Sequence, residues 1–257
     1  MAEVVILPQE QLVELATAQI LDRLHQNPEM VLGVATGSTP MPIYERLATS
    51  GADFSRSRAF ALDEYVGIPE SHPQSYHHVI DSSVTKPLGF KPENVHVPNG
   101  NPTTLAHAGA DFEAKIAAAG GIDIQILGLG TNGHIGFNEP GSSLSSRTRV
   151  KVLTEKTRID NSRFFDSIDQ VPGHCITQGI GTILESKQLL LLAFGKKKAK
   201  IARAMLEGPV TASVPASAIQ LHRHVSVLLD EGAASELENA DYYRYVWEHK
   251  LGGQALG

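Results

Sequence analysis

Residues 122–141 read IDIQILGLGTNGHIGFNEPG. The apolar run at 122–127 has the length and composition of a β-strand, and at Gly128 it passes directly into a loop rich in Gly and Ser that extends to Ser146. Gly128, Gly130 and Gly133 formally match the GxGxxG turn of a dinucleotide-binding unit. That turn should open a helix, whereas His134 to Gly141 reads as loop, so the dinucleotide reading fails. Long loops in compact domains are usually functional, and open α/β sheets bind ligands at the carboxyl ends of their strands. The 128–146 loop starts at such an end.

Working outward, six more apolar runs of strand length lie at 4–7, 30–35, 58–62, 95–98, 188–194 and 225–229. Several are apolar at nearly every position, as expected of strands covered on both faces of a mainly parallel sheet. Between them, Leu12, Leu15, Ala16, Ile20 and Leu24 share one helical face, as do Leu105, Ala108, Phe112 and Ile116. The alternation predicts an α/β fold with helices flanking the sheet. With no low-complexity stretch, repeat or linker, one domain spanning 1–257 is expected.

Composition narrows the function classes. The 257 residues carry 22 Lys and Arg against 28 Asp and Glu, a net charge of −6 that argues against a basic nucleic-acid binder. Hydrophobic residues make up 42%, too many for a disordered chain. The longest purely apolar run, 189–194, falls far short of the roughly 20 residues that span a bilayer, so no membrane segment is expected. The N-terminus has no basic region before its short apolar stretch, which Pro8 interrupts, and reads as no signal peptide. The single cysteine, Cys175, has no partner for an internal disulfide, which fits a reducing cytoplasm.

Two features suit an anion. The run 31–35 leads into Thr36, Gly37, Ser38 and Thr39, with Thr39 expected as N-cap and Pro40 as first residue of a helix. Such a turn can hold a phosphate at a helix N-terminus, although a plain capped turn explains it equally well. It is no Walker A loop, because GxxxxGK[ST] is absent. The second feature, Gly195 followed by Lys196, Lys197, Lys198, Ala199 and Lys200, places cations in a first helical turn, where they oppose the helix dipole unless an anion binds. One lysine turned inward would suffice, the others forming a solvated face.

Acid and base groups also fall at strand ends. Asp63 and Glu64 follow the 58–62 run and fit either a general base or an acidic cap. His134 lies in the Gly-rich loop with Glu139 five residues on, and an imidazole beside a carboxylate shuttles protons near neutral pH. HExxH and paired Cys/His spacings are absent, and His222 with His224 gives only two ligands, so no metal is expected. Cys175 reads as a small core residue.

These residues carry a resemblance. VLGVATGSTP (31–40), LDEYVGIPESHPQSY (62–76), GLGTNGHIGFNEPGSSLSSRTRVKVLT (128–154), NSRFFD (161–166) and FGKKKA (194–199) resemble, in order, the glucosamine-6-phosphate deaminase family. The resemblance implies a modified Rossmann-like fold and conversion of glucosamine 6-phosphate and water to fructose 6-phosphate and ammonia, with no cofactor. By position it implies Asp63 as the base moving the C2 proton to C1, His134 as the ring-opening shuttle and Glu139 as its support. It also implies Arg163, Lys198 and the 36–39 turn as phosphate ligands. Asn132 stands where many members carry Asp. Ser142, Ser143, Arg149, Lys151 and Tyr245 match positions that bind N-acetylglucosamine 6-phosphate between subunits of allosteric members. Monomeric members exist, so both monomer and homo-oligomer stay open.

Two rival classes are distinguishable. The lactonase of 6-phosphogluconate is similar in fold but carries a GHTASLFP-like stretch where this chain has GHIGFNEP. A sugar-phosphate sensor domain would need neither Asp63, His134 nor Glu139, all of which are present.

Overall fold

A computed structural model describes residues 2–250; Met1 and residues 251–257, included in the expected 1–257 domain, lie outside them. Strands β1 (Glu3–Ile6), β2 (Val31–Val34), β3 (Arg58–Ala61), β5 (Val95–His96), β6 (Ile124–Gly128), β9 (Gln188–Ala193) and β10 (Val225–Leu229) form one sheet in the order β1-β10-β9-β6-β2-β3-β5. Every pairing in it is parallel. Its seven strands coincide with the seven apolar runs, because two covered faces require apolar residues at successive positions. Leu32 and Val34 pack into the larger core with Leu12, Ala16 and Ile20 of the Gln9–Gln26 helix. On the opposite face Val31 and Phe60 pack against Phe112 and Ile116 of the Leu105–Ala118 helix. The α/β architecture is as expected.

A second sheet had no apolar signature. Strands β4 (Asp63–Tyr65), β7 (Arg149–Val152) and β8 (His174–Thr177) pair antiparallel in the order β4-β8-β7. Asp63 lies opposite Thr177. A small cluster of Tyr65, Phe137, Leu153, Val171 and Cys175 packs with this sheet, so the buried Cys175 is a core residue as expected. Because β4 follows β3 after one residue, the small sheet carries Asp63 on from the carboxyl end of the main one.

No helix among the described residues is long and apolar enough to cross a membrane.

Candidate active site

Adjacent strands β2 and β6 send the chain in opposite directions: β2 continues to β3 on one side, and β6 leads eventually to β9 on the other. Their loops therefore part at the carboxyl ends and leave a crevice, the usual ligand position of an open α/β sheet.

The first loop, 35–40, is pinned at its start. The Tyr44 hydroxyl accepts from the Ala35 amide at 3.0 Å and donates to the Ala35 carbonyl at 2.9 Å. Gly37 has φ +86° with no atom within 4 Å of a would-be Cβ, so its conformation rather than lack of space selects glycine. Here the structure corrects one expectation: the helix is Met41–Thr49, its N-cap is Pro40, and Thr39 makes no side-chain cap. Pro40 and Pro42 carry no N–H, and the Ile43 and Tyr44 amides both reach the Pro40 carbonyl, so few donors remain to be capped.

Asp63 is buried, its Oδ2 3.5 Å from where a Cβ at Gly136 would stand, and the following amide, that of Phe137, donates to the Thr177 hydroxyl at 3.1 Å. Burial, and then the neighbouring Glu64 charge, push the Asp63 pKa up to about 8. Glu64 takes the other role the sequence allowed. Its carboxylate accepts from the amides of Tyr65, Tyr76 and His77 at 2.7, 3.0 and 3.0 Å and from Ser75 Oγ at 2.9 Å, closing the start of the Tyr76–Ile80 helix. One carboxylate is thus tied down by these four donors and by the His77 ring nitrogen at 2.9 Å, while its neighbour holds its proton more tightly than an exposed carboxylate would.

The second loop holds His134. Gly130 is the position its ring rests against: a Cβ there would lie 2.4 Å from three ring atoms. Glu139 is buried, and its Oε2 lies 3.8 Å from His134 Nδ1, an ion-pair distance beyond hydrogen-bond reach. Oε2 instead accepts from Asn132 Nδ2 at 2.6 Å, and Asn132 Oδ1 accepts from the His134 amide at 3.2 Å. Oε1 accepts from the hydroxyl of Thr157 and lies 3.1 Å from that of Thr154, both at the start of the Glu155–Ser162 helix. Burial lowers the His134 pKa and Glu139 opposes that, while Lys198 adds to the lowering.

The lysine run resolves as the sequence allowed. Lys196, Lys197 and Lys200 are exposed, whereas Lys198 is half-buried and donates to the Leu129 carbonyl at 2.6 Å. Burial lowers its pKa, and the nearby Arg163 contributes. Arg163 itself is exposed at the end of the Glu155–Ser162 helix, its guanidinium 4.7 Å from the Phe164 ring centroid.

Of the remaining candidates, Arg149 donates to Asn138 Oδ1 at 2.9 Å, and Asn138 Nδ2 in turn holds the Ile135 and Gln178 carbonyls. Ser142 is buried and Ser143 is exposed, its Oγ 3.1 Å from that of Ser145. Lys151 lies on β7. Tyr245 sits elsewhere, stacked on His249 at 4.0 Å in the Ala240–Glu248 helix, which packs on edge strand β1. His222 Nε2 lies 2.7 Å from the Ser186 carbonyl, and no group of three or more His, Cys, Asp or Glu among the described residues could hold a metal ion.

Three site residues escaped the sequence reading. Tyr76 lies beside the Thr36 side chain, packs against Tyr65 with the rings tilted at 50° and 5.0 Å apart, and feels the Asp63 charge, so it joins the first loop to the base. Its pKa is pushed well up by burial. Thr154 and Thr157 are the other two; the T-x-x-T spacing ahead of a helical stretch is their sequence signal, an N-cap pattern.

Residues 8–228 match the family model described as glucosamine-6-phosphate isomerases/6-phosphogluconolactonase. The glucosamine-6-phosphate deaminase of Rhodococcus opacus (strain B4) is 53% identical over 258 residues, covering 99% of this chain and all of that protein. That of Bifidobacterium longum (strain DJO10A) is 51% identical over 270 residues, covering both chains entirely. A solved monomeric glucosamine-6-phosphate deaminase superposes with a TM-score of 0.89 at 42% identity, over 92% of this chain and 100% of its own. The 6-phosphogluconolactonase of Trypanosoma brucei shares the fold at 18% identity, TM-score 0.76, over 92% and 99% of the two chains.

Proposed function

The chain belongs to the glucosamine-6-phosphate isomerase/6-phosphogluconolactonase family, and from that membership we propose that it isomerises and deaminates glucosamine 6-phosphate, giving fructose 6-phosphate and ammonia. One observation carries the chemical assignment. A single loop, 128–139, lies against Asp63 at Gly136 and holds Glu139 beside His134, so a base and a proton shuttle face one crevice.

The phosphate sits against the 36–39 loop, with Lys198 leaving the Leu129 carbonyl to pair with it and Arg163 approaching from the helix end. His134, kept neutral by burial, takes the anomeric O1 proton and returns one to the ring oxygen, opening the pyranose. Asp63 removes the C2 proton and delivers it to C1 while a proton lost from the C2 amine reaches O1, so the C1 aldehyde becomes an alcohol and the C2 amine an imine. Water adds at C2, the C–N bond breaks, and ammonia leaves. A carboxylate with a pKa near 8 is a stronger base than an exposed one, and the substrate's C2 ammonium beside it favours the ionised form. No step requires a cofactor.

The same reading puts the chain in the cytoplasm, without nucleic-acid or membrane partners. Ser142, Ser143, Arg149, Lys151 and Tyr245 match positions that bind N-acetylglucosamine 6-phosphate between subunits of allosteric members, and both a monomer and a homo-oligomer stay open. Rate curves with and without N-acetylglucosamine 6-phosphate, run beside a sizing column, test for such a site.

For the main reaction, purified chain is given glucosamine 6-phosphate and, separately, the lactone of 6-phosphogluconate. Ammonia and fructose 6-phosphate should appear in equal amounts and the lactone should persist. Lactone hydrolysis without ammonia release would overturn the assignment.

A further inference from the structure

We propose that Thr157 is a positioning residue for the His134–Glu139 pair, its hydroxyl holding the Glu139 carboxylate back from the imidazole and so setting where His134 titrates. The proposal rests on the reading of His134 as proton shuttle and asks what fixes its partner.

Thr157 is 2% exposed, and its hydroxyl donates to Glu139 Oε1 from the first turn of the Glu155–Ser162 helix. Thr154 caps that helix by accepting from the Thr157 amide at 3.2 Å, and its own hydroxyl lies 3.1 Å from both Oε1 and Thr157 Oγ1. With Asn132 on Oε2, every close donor to this carboxylate is neutral. Those donors leave a gap: His134 Nδ1 is buried and has no hydrogen-bond partner, with the carboxylate 3.8 Å away. A buried polar atom without a partner is costly, so the surrounding structure must keep the carboxylate from closing the distance. The Thr157 hydroxyl is the buried donor placed to do so, on the carboxylate oxygen that Asn132 does not hold.

Two consequences of removing it share one sign. The carboxylate loses a hydrogen bond that draws off part of its charge, and it is freed to approach Nδ1; each change favours the imidazolium. The other charges facing His134 are Lys198 from the start of the Ala199–Leu206 helix, and Lys156 and Asp160 from the same helix as Thr157. Asp160 is held to Thr131 Oγ1 at 3.1 Å, and the buried Cys175 thiol also feels Glu139. Thr157→Val keeps the backbone amide that Thr154 caps and keeps the β-branched shape, so these charges stay in place.

The test is an NMR titration of the ¹⁵N-histidine-labelled full chain, with the His134 signal assigned by its loss in His134→Gln. Thr157→Val should raise the His134 midpoint by about half a unit or more. Thr157→Ser, which restores the hydroxyl, should bring it back. In the same variants kcat for glucosamine 6-phosphate should fall several-fold in Thr157→Val, with KM within about twofold, and recover in Thr157→Ser. An unchanged midpoint in folded Thr157→Val, or no recovery in Thr157→Ser, overturns the proposal. If Thr157→Val does not fold, Thr154→Val decides, with a smaller upward shift expected and an unchanged midpoint overturning it. Absence of ammonia release by the wild type would instead remove the functional reading, and the titration would still decide what positions Glu139.

Discussion

The Lys198 ammonium reaches back 2.6 Å to the Leu129 carbonyl, bridging the chain after β9 to the carboxyl end of β6. This contact separates one lysine from an exposed run and parks its charge at the crevice before any anion arrives. Lys198→Ala should therefore raise KM for the phosphorylated sugar by about 10- to 100-fold, the range of a charge-assisted hydrogen bond. Lys196→Ala and Lys197→Ala should change it by less than about twofold. Arg163→Ala should fall between them, since its guanidinium is exposed. Steady-state kinetics on the four variants check the order, and equal effects at the three lysines would remove Lys198 from the site.

Asp63→Asn should abolish turnover and hydrogen exchange at C2 while substrate still binds, because an amide cannot accept the C2 proton. It should also stabilise the protein in a pH-dependent way. In the folded chain the Asp63 pKa is raised to about 8, above the ordinary carboxylate value of 3.8, so between these limits the folded state holds a proton the unfolded state has lost. Stability conferred by this group therefore falls as pH rises through that window. The variant should match wild type near pH 4 and exceed it above pH 8 by an amount on the order of a few kcal/mol. Urea unfolding across pH 4–9 measures the difference, and parallel curves would show that Asp63 is not desolvated.

Gly130→Ala is the most local test of the shuttle. Its Cβ would lie 2.4 Å from the His134 ring, so the ring must move while the backbone conformation stays open to alanine. A displacement near 1 Å at a reacting group costs up to about 100-fold in rate. A fall in kcat of roughly 10- to 100-fold, with an unchanged circular dichroism spectrum, is expected. Full activity would place the working imidazole elsewhere.

What the sequence made legible follows from which physical constraint each part obeys. The strands of the main sheet are apolar at successive positions because both faces are covered, and each was readable alone. The small sheet obeys no such rule. Strand β4 is Asp-Glu-Tyr, buried yet mostly acidic, and β7 turns Val150 and Val152 outward, 37% and 65% exposed, with Arg149 and Lys151 on its inner side. Its pattern is inverted with respect to the usual one, so periodicity hides it. Asp63, His134 and Glu139 were visible because each lies in a strand-end segment with its own signature. Tyr76 and Thr157 were not, since only tertiary folding brings Tyr76 to Thr36 and Thr157 to Glu139.

Asn132 departs from the commoner residue, and the structure gives the departure a direction. Its Nδ2 donates to Glu139 Oε2 at 2.6 Å, while its Oδ1 accepts from the His134 amide at 3.2 Å. Asn132→Asp keeps the second contact and turns the first into two carboxylate oxygens at hydrogen-bond distance. Two such groups cannot both stay ionised at that separation without cost, so either they share a proton or Glu139 swings away toward the unpartnered His134 Nδ1. Burial at present lowers the His134 pKa. Added negative charge, or a carboxylate brought within hydrogen-bond reach, opposes that burial and favours the imidazolium, so the His134 midpoint should rise. The neutral form needed to take the O1 proton would then be lost at a higher pH. Ring opening, followed directly as release of the open-chain aldehyde, should show its acid limb displaced upward in the variant. Asp63, titrating near 8, governs the isomerisation limb and should stay where it is. A ring-opening limb that does not move, in a variant shown to be folded, would mean that the negative charge is fully absorbed by a proton shared between residues 132 and 139.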